Sequence, residues 1–463
     1  MNQLTGSNKL TERGALMPRV FISAAHKSSG KTTLTLGLAA ALHARSHVVQ
    51  PFKKGPDYID PLWLGMAARR ACYNLDFHMM RRDEIESQFV RAAAGARVSL
   101  IEGNKGLYDG LDLDGSNSNA ALAKLLDVPV VLVIDARGMT RGVAPLILGY
   151  QAFDRDIRIA GVILNNLGGS RHEAKLRAVI EHYTDVAVIG AVQHDPAMQI
   201  AERHLGLVPA NEADAARERI DHVGERVAAQ VDLDRLLAIA DSAPRREAVV
   251  AAPAGQPVAR LRIGIAHDAA FGFYYNEDLD ALRAANVELV ELDTLHDPDL
   301  PPIDGLILGG GFPEVFMAEL AANAALRTNV KHAIEAGLPT YAECGGLMYL
   351  SKSLSWQDRT CEMVGVVPGD TVMHARPVGR GYARLQPTGD DRWQETATIP
   401  AHEFHYSSLE NLPADSTYAY SVARGHGIDG SHDGYQRYNL LAGYVHRRGA
   451  GELGWIAPFL NQV

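Results

Sequence analysis

One stretch in the C-terminal half constrains the fold most: a short, mostly apolar run that ends in Cys344 and continues directly into Gly345 and Gly346. An apolar, helix-like segment follows through Leu350. Because two glycines permit backbone angles that a Cβ would forbid, the pattern predicts a sharp strand-to-helix turn. A cysteine at the start of that helix would be stabilised as a nucleophilic thiolate by the helix dipole and the free amides. The alternative is a buried structural cysteine, which is common for free cysteines.

Length and composition limit the classes of protein to which the chain can belong. A chain of 463 residues with 47% hydrophobic and 22% charged residues predicts two globular domains. The net charge of −10 provides no basic field for nucleic acid. No apolar run approaches the ~18 residues of a membrane span, and the three cysteines, Cys72, Cys344 and Cys361, have no CxxC spacing. We therefore expect a cytoplasmic protein without nucleic-acid or membrane partners, preceded by a disordered leader over residues 1–17.

A second motif lies near the N-terminus. A β-prone run over residues 20–24 leads into a loop that ends in Gly30, Lys31, Thr32 and Thr33, and an apolar helical segment follows. This context predicts a phosphate-binding loop, whose backbone amides surround the phosphates while the lysine reaches the outer ones and Thr32 offers its hydroxyl to Mg²⁺. The first glycine of the usual pattern is replaced by Ala25, which weakens the match without cancelling it.

Acidic residues follow the next predicted strands. The loop after Val49 carries Lys53, Lys54, Asp57 and Asp60 between prolines. It could be an ordinary solvated turn, but mixed charges in a stiff loop also suit a site for Mg²⁺ and an anionic substrate. Glu102 ends an apolar strand, at the position where open α/β sheets place their ligands and where a carboxylate can hold Mg²⁺.

Two near-continuous apolar runs, 128–135 and 159–166, predict strands buried on both faces of a parallel sheet. The second run ends in Asn165 and Asn166, which could contact adenine or could only shape a turn.

Three segments together resemble one family. They are KxGPDYIDP (residues 53–61), EGxxGLYDG (102–110) and AECGGLMYL (342–350). The chain thereby resembles the cobyrinic acid a,c-diamide synthases, glutamine-dependent ATP ligases that amidate two acetate groups of a tetrapyrrole through an acyl phosphate. The resemblance implies an α/β fold with an N-terminal doubly wound P-loop domain of the dethiobiotin-synthetase type and a C-terminal class I glutamine amidotransferase domain. It also implies roles for the acidic residues Asp57, Asp60, Glu102 and Asp109, with Mg²⁺ accompanying ATP.

Two positions depart from the family pattern. Lys54 stands where an apolar residue is common, and Asn104-Lys105 replaces Val-Met. Two extra cations near the site suggest a different arrangement of ring or carboxylates. The ring could therefore be cobyrinate or a sirohydrochlorin-type ring such as siroheme.

The C-terminal half begins after a stretch rich in Pro, Ala and charge. We predict an ATP-binding domain over 18–240, a linker over 241–260 and an amidotransferase domain over 261–463. A glycine run over 309–311 could be a flexible loop, but the resemblance assigns Gly310 and Gly311, together with Gly345, to glutamine binding and the oxyanion hole.

A thiolate needs a base, and the sequence offers His402, His405 and His446. The family pattern selects His446 as the partner of Cys344. Many glutaminases carry a glutamate two residues after this histidine, but here the position is Arg448. We therefore expect a Cys–His dyad.

Two functions are compatible with these motifs. The first is a ligase that hydrolyses glutamine in one half and amidates a small molecule in the other. The alternative is a partitioning-type P-loop ATPase switch with a non-catalytic amidotransferase-like domain. The sequence leaves the oligomeric state open, with a homodimer among the options.

Overall fold

The computed structural model describes residues 16–200, 202–203, 206–210, 216–246, 260–389 and 396–463. Residues 1–15 of the predicted leader and 247–259 of the predicted linker lie outside this part. Met17, at the end of the predicted leader, is buried. Asp241, at the start of the predicted linker, ends a helix and forms an ion pair with Arg97.

The N-terminal half is built on a seven-stranded, fully parallel sheet. Its strands are β1 (Arg19–Ala24), β2 (Val49–Lys54), β3 (Tyr73–Leu75), β4 (Val98–Glu102), β5 (Val130–Asp135), β6 (Ile159–Leu167) and β7 (Val188–Gln193). Its helices are α1 (Lys31–Ala44), α2 (Ile59–Ala68), α3 (Arg82–Ala93), α4 (Asn119–Leu126), α5 (Val143–Phe153), α6 (Ser170–Tyr183), α7 (Ala216–Ala228) and α8 (Leu233–Asp241). A 3₁₀ turn (Pro196–Met198) and a small ribbon of β8 (Glu202–Arg203) and β9 (Gly206–Leu207) complete this half.

Helices cover both faces of this sheet. α1, α2, α7 and α8 contribute to one hydrophobic core, and α3 to α6 contribute to the other. The strand order is β3-β2-β4-β1-β5-β6-β7. Because β2, β4 and β1 are neighbours and parallel, the loops at their carboxyl ends meet at one edge of the sheet, where such folds bind ligands.

The C-terminal half contains a ten-stranded sheet of order β12-β10-β13-β15-β24-β23-β22-β19-β20-β25 and smaller sheets beside it. Its strands are β10 (Leu261–Ala266), β11 (Phe271–Phe273), β12 (Val287–Leu292), β13 (Gly305–Leu308), β14 (Gly310–Gly311), β15 (Thr340–Glu343), β16 (Ser353–Trp356), β17 (Arg359–Glu362), β18 (Asp370–Met373), β19 (Gly379–Pro387), β20 (Ile399–His405), β21 (Ser407–Glu410), β22 (Thr417–Arg424), β23 (His432–Arg437), β24 (Leu440–Gly443) and β25 (His446–Arg447). Its helices are α9 (Asn276–Ala284), α10 (Met317–Ala322), α11 (Ala324–Glu335), α12 (Gly345–Leu350) and α13 (Ile456–Leu460).

The strands from β12 to β24 are parallel and those from β24 to β25 are antiparallel. The predicted fold, a P-loop α/β domain followed by an α/β amidotransferase domain, is confirmed. The antiparallel part was not predicted, since strands such as β19 bury only some of their residues and give a weak apolar pattern.

The two halves share a small hydrophobic cluster. Tyr58 and Met79 of the first half pack with Phe273, Tyr275 and Phe312 of the second. Polar contacts flank this cluster: the Tyr73 hydroxyl donates to Asp280 at 2.6 Å and the Asn276 amide to the Cys72 carbonyl at 2.8 Å. The junction is therefore packed and hydrogen-bonded. No helix in the described ranges is long and apolar enough to cross a membrane.

Candidate active site

The phosphate loop connects β1 to α1 and is held by a side chain from β6. Asn165 Nδ2 donates to the Ser29 carbonyl at 2.9 Å. Gly30 has a φ of 83°, and a Cβ there would lie 2.2 Å from Asn165 Nδ2, so this position requires glycine. Ala25 does not adopt a positive φ, which explains why alanine is accepted in place of the usual first glycine. Asn165 thus supports the loop, a role that the sequence did not indicate; its contact with adenine remains a prediction.

The start of α1 faces the acidic residues. The hydroxyl of Thr32 donates to Glu102 Oε1 at 2.6 Å and lies 3.3 Å from Asp60 Oδ2. Lys31, the first residue of the helix, is buried, and this burial lowers its pKa although the nearby Glu102 opposes the shift. Thr33, next to Thr32, is half-buried. The structure therefore brings the predicted phosphate-loop residues and Glu102 together.

Lys53, which the sequence did not single out, lies at the centre of this acidic group. Its Nζ contacts Asp60 and lies 3.1 Å from Glu102 Oε1 and 3.8 Å from Asp57 Oδ2. Burial alone would lower the pKa of Lys53, but the carboxylates outweigh it and hold that pKa well above its usual value. A permanently charged ammonium group therefore joins the predicted acidic residues.

Glu102 fits the predicted Mg²⁺. Its Oε2 is buried without a hydrogen-bond partner, and burial raises the pKa of this carboxyl group. A buried, unsatisfied carboxylate oxygen is costly unless a cation or donor reaches it. No cluster of three or more His, Cys, Asp or Glu suited to a metal occurs in the described part of the chain. In nucleotide sites, one or two carboxylates bind Mg²⁺ together with phosphates and waters. Here Glu102 would supply the carboxylate and Thr32 a hydroxyl oxygen.

The remaining predicted substrate residues, Lys54, Lys105 and Asp109, differ in their exposure. Lys54 is buried and donates from Nζ to the Asn117 carbonyl at 2.6 Å; burial lowers its pKa to about 8. Lys105 is exposed. Asp109 is also exposed and accepts from the Gly106 amide at 3.0 Å. The two lysines thus differ: only Lys54 is enclosed by the fold.

The predicted turn at Cys344 joins β15 to α12. Cys344 has φ 48° and ψ −101°, a region that non-glycine residues rarely adopt, and its amide donates to the Gly443 carbonyl at 2.7 Å. Such strained residues concentrate at functional sites. The strain aims the thiol of a nearly buried cysteine toward His446, to which it hydrogen-bonds.

The predicted glycines surround this pair. A Cβ on Gly310 would lie 2.7 Å from His446 Cε1, and one on Gly345 would lie 3.0 Å from the Gly311 amide nitrogen. The glycines therefore allow backbone to approach the thiol and the imidazole closely, as an oxyanion site requires.

Glu343 adds a third group to the predicted dyad. Its Oε2 lies 3.3 Å from His446 Nδ1, and its Oε1 accepts from the Arg447 amide at 2.9 Å. Burial opposes the charge on His446, but Cys344 and then Glu343 outweigh it and raise the pKa of His446 to about 10. Cysteine, imidazole and carboxylate thus form a chain that favours a thiolate–imidazolium pair.

Arg448, two residues after His446, stands where many glutaminases carry a glutamate, and here it contacts the other half of the chain. The Arg448 guanidinium pairs with Glu84 Oε1 at 2.9 Å, which ties the C-terminal half to the ATP-binding half. His402 stacks on His446 with ring centroids 5.0 Å apart, whereas His405 stacks on Tyr444. The thiol acts on His446, as the family pattern implied.

The two groups of residues meet at Tyr58, which lies between Asp57 and Asp60 in the sequence. Its ring stacks on Phe273, with centroids 5.5 Å apart and the planes inclined by 2°. The same ring lies 5.1 Å from the His446 ring. A single residue of the acidic loop therefore contacts the imidazole of the other half.

Known proteins match both halves. Residues 18–201 match an AAA domain family, and residues 262–450 match the CobB/CobQ-like glutamine amidotransferase domain. The cobyrinate a,c-diamide synthase of Magnetococcus marinus is 47% identical over 96% of this chain and 96% of its own length. The chain belongs to the cobyrinate a,c-diamide synthase family.

Two further relatives of the same name extend this result to archaea. That of Methanosarcina acetivorans is 43% identical over 95% of this chain and 94% of its own, and that of Methanosarcina barkeri is 42% identical over 94% and 93%. As a member of the cobyrinate a,c-diamide synthase family, the chain is an enzyme, a carbon–nitrogen ligase with glutamine as its amide nitrogen donor.

Glu343 provides the first test. Replacing it by Gln keeps the shape but removes the charge that supports the His446 imidazolium, so we expect glutaminase turnover to fall on the order of ten- to a hundred-fold. The pKa of His446 should also fall, so the imidazolium stabilises the thiolate less and the alkylation of Cys344 by iodoacetamide should require a higher pH. Glu84→Gln, which breaks the ion pair with Arg448 outside the site, is the control. An unchanged pH profile in Glu343→Gln would show that the carboxylate does not act on the pair.

Proposed function

We propose that this enzyme amidates the a and c acetate carboxylates of a tetrapyrrole, with ATP as the activating co-substrate and glutamine as the nitrogen source. Cobyrinate is the first choice of ring because the relatives carry its name. A sirohydrochlorin-type ring is the second, because Lys54 and Lys105 depart from the family pattern. The observation that carries the two-site proposal is the contact of Tyr58 with His446.

The C-terminal half would release ammonia. The Cys344 thiolate attacks the side-chain amide carbon of glutamine, and the backbone near Gly310 and Gly311 stabilises the developing oxyanion. The His446 imidazolium gives its proton to the leaving nitrogen, which departs as ammonia and leaves a glutamyl thioester. Water then cleaves the thioester: His446 takes one proton as the thiolate is released, and the carboxyl group of the new glutamate gives the other to solvent.

The N-terminal half would use this ammonia. A ring carboxylate attacks the γ-phosphorus of ATP, which yields an acyl phosphate and ADP. Ammonia attacks the acyl carbon, phosphate leaves, and the proton lost by nitrogen ends on phosphate. Lys31 and Lys53 neutralise the phosphates while Asp57 and Asp60 fix Lys53 in place. Mg²⁺, when bound near Thr32 and Glu102, would supply further charge neutralisation.

Ammonia must not reach bulk water, where it would be protonated and lose its nucleophilicity. The shared hydrophobic cluster of Tyr58, Met79, Phe273, Tyr275 and Phe312 includes a residue of the acidic loop, Tyr58, and through it contacts His446. Such a cluster excludes water from a path between the two sites. We therefore propose that nitrogen passes internally along this cluster.

The choice of reaction class, the domain boundaries, the location and the assembly are part of the same proposal. Family membership removes the support for a partitioning-type switch, because it makes the chain a ligase. We keep the division into an ATP-binding domain over 18–240 and an amidotransferase domain over 261–463, joined by a linker, as well as a cytoplasmic location. A homodimer remains one of the options for assembly.

The first test separates the two activities. The protein is incubated with ATP, Mg²⁺ and cobyrinate or sirohydrochlorin, with glutamine or ammonium chloride as nitrogen source, and mass spectrometry counts the amides formed. We expect two amides with either nitrogen source. Cys344→Ala should lose only the glutamine-dependent reaction, whereas Cys361→Ala, a half-exposed cysteine on β17, should retain both. Loss of the ammonium reaction in Cys344→Ala would contradict the division of labour.

Tyr58 provides the second test. Truncation to Ala removes the ring that separates the two sites from water, so we expect more than one glutamate per amide formed. Tyr58→Phe keeps the ring and should keep a ratio near one. The ratio is measured by assaying glutamate and the amide product in the same reaction. A ratio of one in Tyr58→Ala would exclude a coupling role for the ring.

A further inference from the structure

A cleft of about 560 Å³ opens where the two halves meet, beside the candidate active site. Its volume falls within the range of small-molecule binding sites. Residues of both halves line it, including Arg82 and Asn117 from the first and Tyr382, Arg384 and Arg424 from the second. Neither half alone would form this cleft.

The cleft carries a surplus of positive charge. Five arginines and three acidic residues line it, in a chain whose net charge is −10. The acidic side chains already have partners. Glu84 pairs with Arg448 at 2.9 Å, Glu452 pairs with Arg81 at 2.9 Å, and Asp112 accepts from Ser116 at 2.9 Å and Asn117 at 2.7 Å. Three arginines of the lining, Arg82, Arg384 and Arg424, form no ion pair with another lining residue, and the only charge set against them is that of Asp112, whose partners in the lining are neutral. The lining therefore keeps a surplus of two positive charges.

Two of these arginines face each other across a strand pair. Arg384 of β19 and Arg424 of β22 are direct register partners, and both are exposed. Neither forms an ion pair with a carboxylate anywhere in the described ranges. Like charges directly opposite on neighbouring strands are destabilising. An anion between the two guanidinium groups would relieve that repulsion.

The same cleft exposes apolar surface. Leu111 and Leu453 line it and remain 52% and 43% exposed. His78 and Tyr382, also in the lining, stack with ring centroids 4.3 Å apart. A ligand that combines a broad apolar body with several carboxylates matches both surfaces.

The cleft is connected to the acidic site through Lys54. The Asn117 carbonyl, in the lining, accepts from Lys54 Nζ at 2.6 Å, and Lys54 directly follows Lys53 on β2. The Tyr382 hydroxyl donates to Asp76, whose charge also acts on Lys54. A ligand in the cleft would therefore lie next to the strand that carries Lys53 and leads into the acidic loop.

We propose that Arg82, Arg384 and Arg424 bind those carboxylates of a polycarboxylate macrocycle that are not being amidated. The macrocycle packs on Leu111 and Leu453 and directs a reacting carboxylate toward the acidic loop. The amidotransferase half thereby becomes part of the acceptor site as well as the source of ammonia. This inference rests on the proposed function, because it takes its ligand to be the acceptor.

The experiment compares Arg384→Gln/Arg424→Gln with wild type, using cobyrinate as the probe. Because the arginines bind ground state and transition state alike, KM for cobyrinate should rise about ten-fold, while kcat at saturation changes less than about three-fold. The dissociation constant from quenching of intrinsic fluorescence should rise by the same factor, and Arg384→Lys/Arg424→Lys should recover most of it. Arg380→Gln, an exposed arginine on the same strand that packs over Phe404, is the matched control and should match wild type.

The outcomes separate this inference from the proposed function. An unchanged affinity for cobyrinate in the double Gln variant, with normal amidation by wild type, overturns the cleft assignment and leaves the function intact. If cobyrinate binding depends on the arginines but wild type does not amidate it, the cleft assignment is supported and the proposed function is contradicted. If the double Gln variant is unstable, the double Lys variant and Arg424→Gln alone are measured by the same binding assay, and wild-type affinity in Arg424→Gln overturns the assignment.

Discussion

The ring of Tyr58 contacts the imidazole of His446 and so links the acidic loop of the first half to the thiol site of the second. Tyr58 cannot move away from the amidotransferase half without disturbing Asp57, which directly precedes it, and Asp60, two residues further on. Both carboxylates contact Lys53, and Lys53 contacts Glu102. The proposed glutamine site and the proposed ATP site are thus joined by one short loop, which would give ammonia a sheltered route and make the relative position of the two halves part of the chemistry.

Each half supplies its chemistry from the carboxyl ends of parallel strands. β1, β2 and β4 present the phosphate loop, the acidic loop and Glu102 at one sheet edge, while β15 presents Cys344 at the other sheet. The antiparallel strands of the second half also contribute to its junction with the first. The antiparallel extension brings β25 with His446 beside β20, and it also carries Arg384 and Arg424 to the junction. The same extension therefore completes the thiol site and borders the cleft.

Local motifs were predictable because their chemistry is encoded over few residues. The phosphate loop, Glu102 at a strand end and the glycines after Cys344 each follow from spacing and backbone sterics. Contacts between distant segments were not. The sequence does not distinguish the role of Lys53 from that of Lys54, yet it is Lys53 that contacts three carboxylates, since neighbouring residues of a strand point to opposite faces. Glu343 was overlooked because its partner lies 103 residues away, and the usual glutamate position after His446 is occupied by Arg448.

In the proposed mechanism, nitrogen released at Cys344 reaches the acceptor without entering bulk solvent. It is tested by supplying glutamine labelled with ¹⁵N in its side-chain amide together with an excess of unlabelled ammonium chloride, at a pH where free ammonia is scarce. Mass spectrometry of the amidated ring then reports the origin of each nitrogen. The structure predicts amides that carry ¹⁵N almost undiluted. Amides with the isotopic composition of the bulk ammonium pool would contradict an internal path between the two sites.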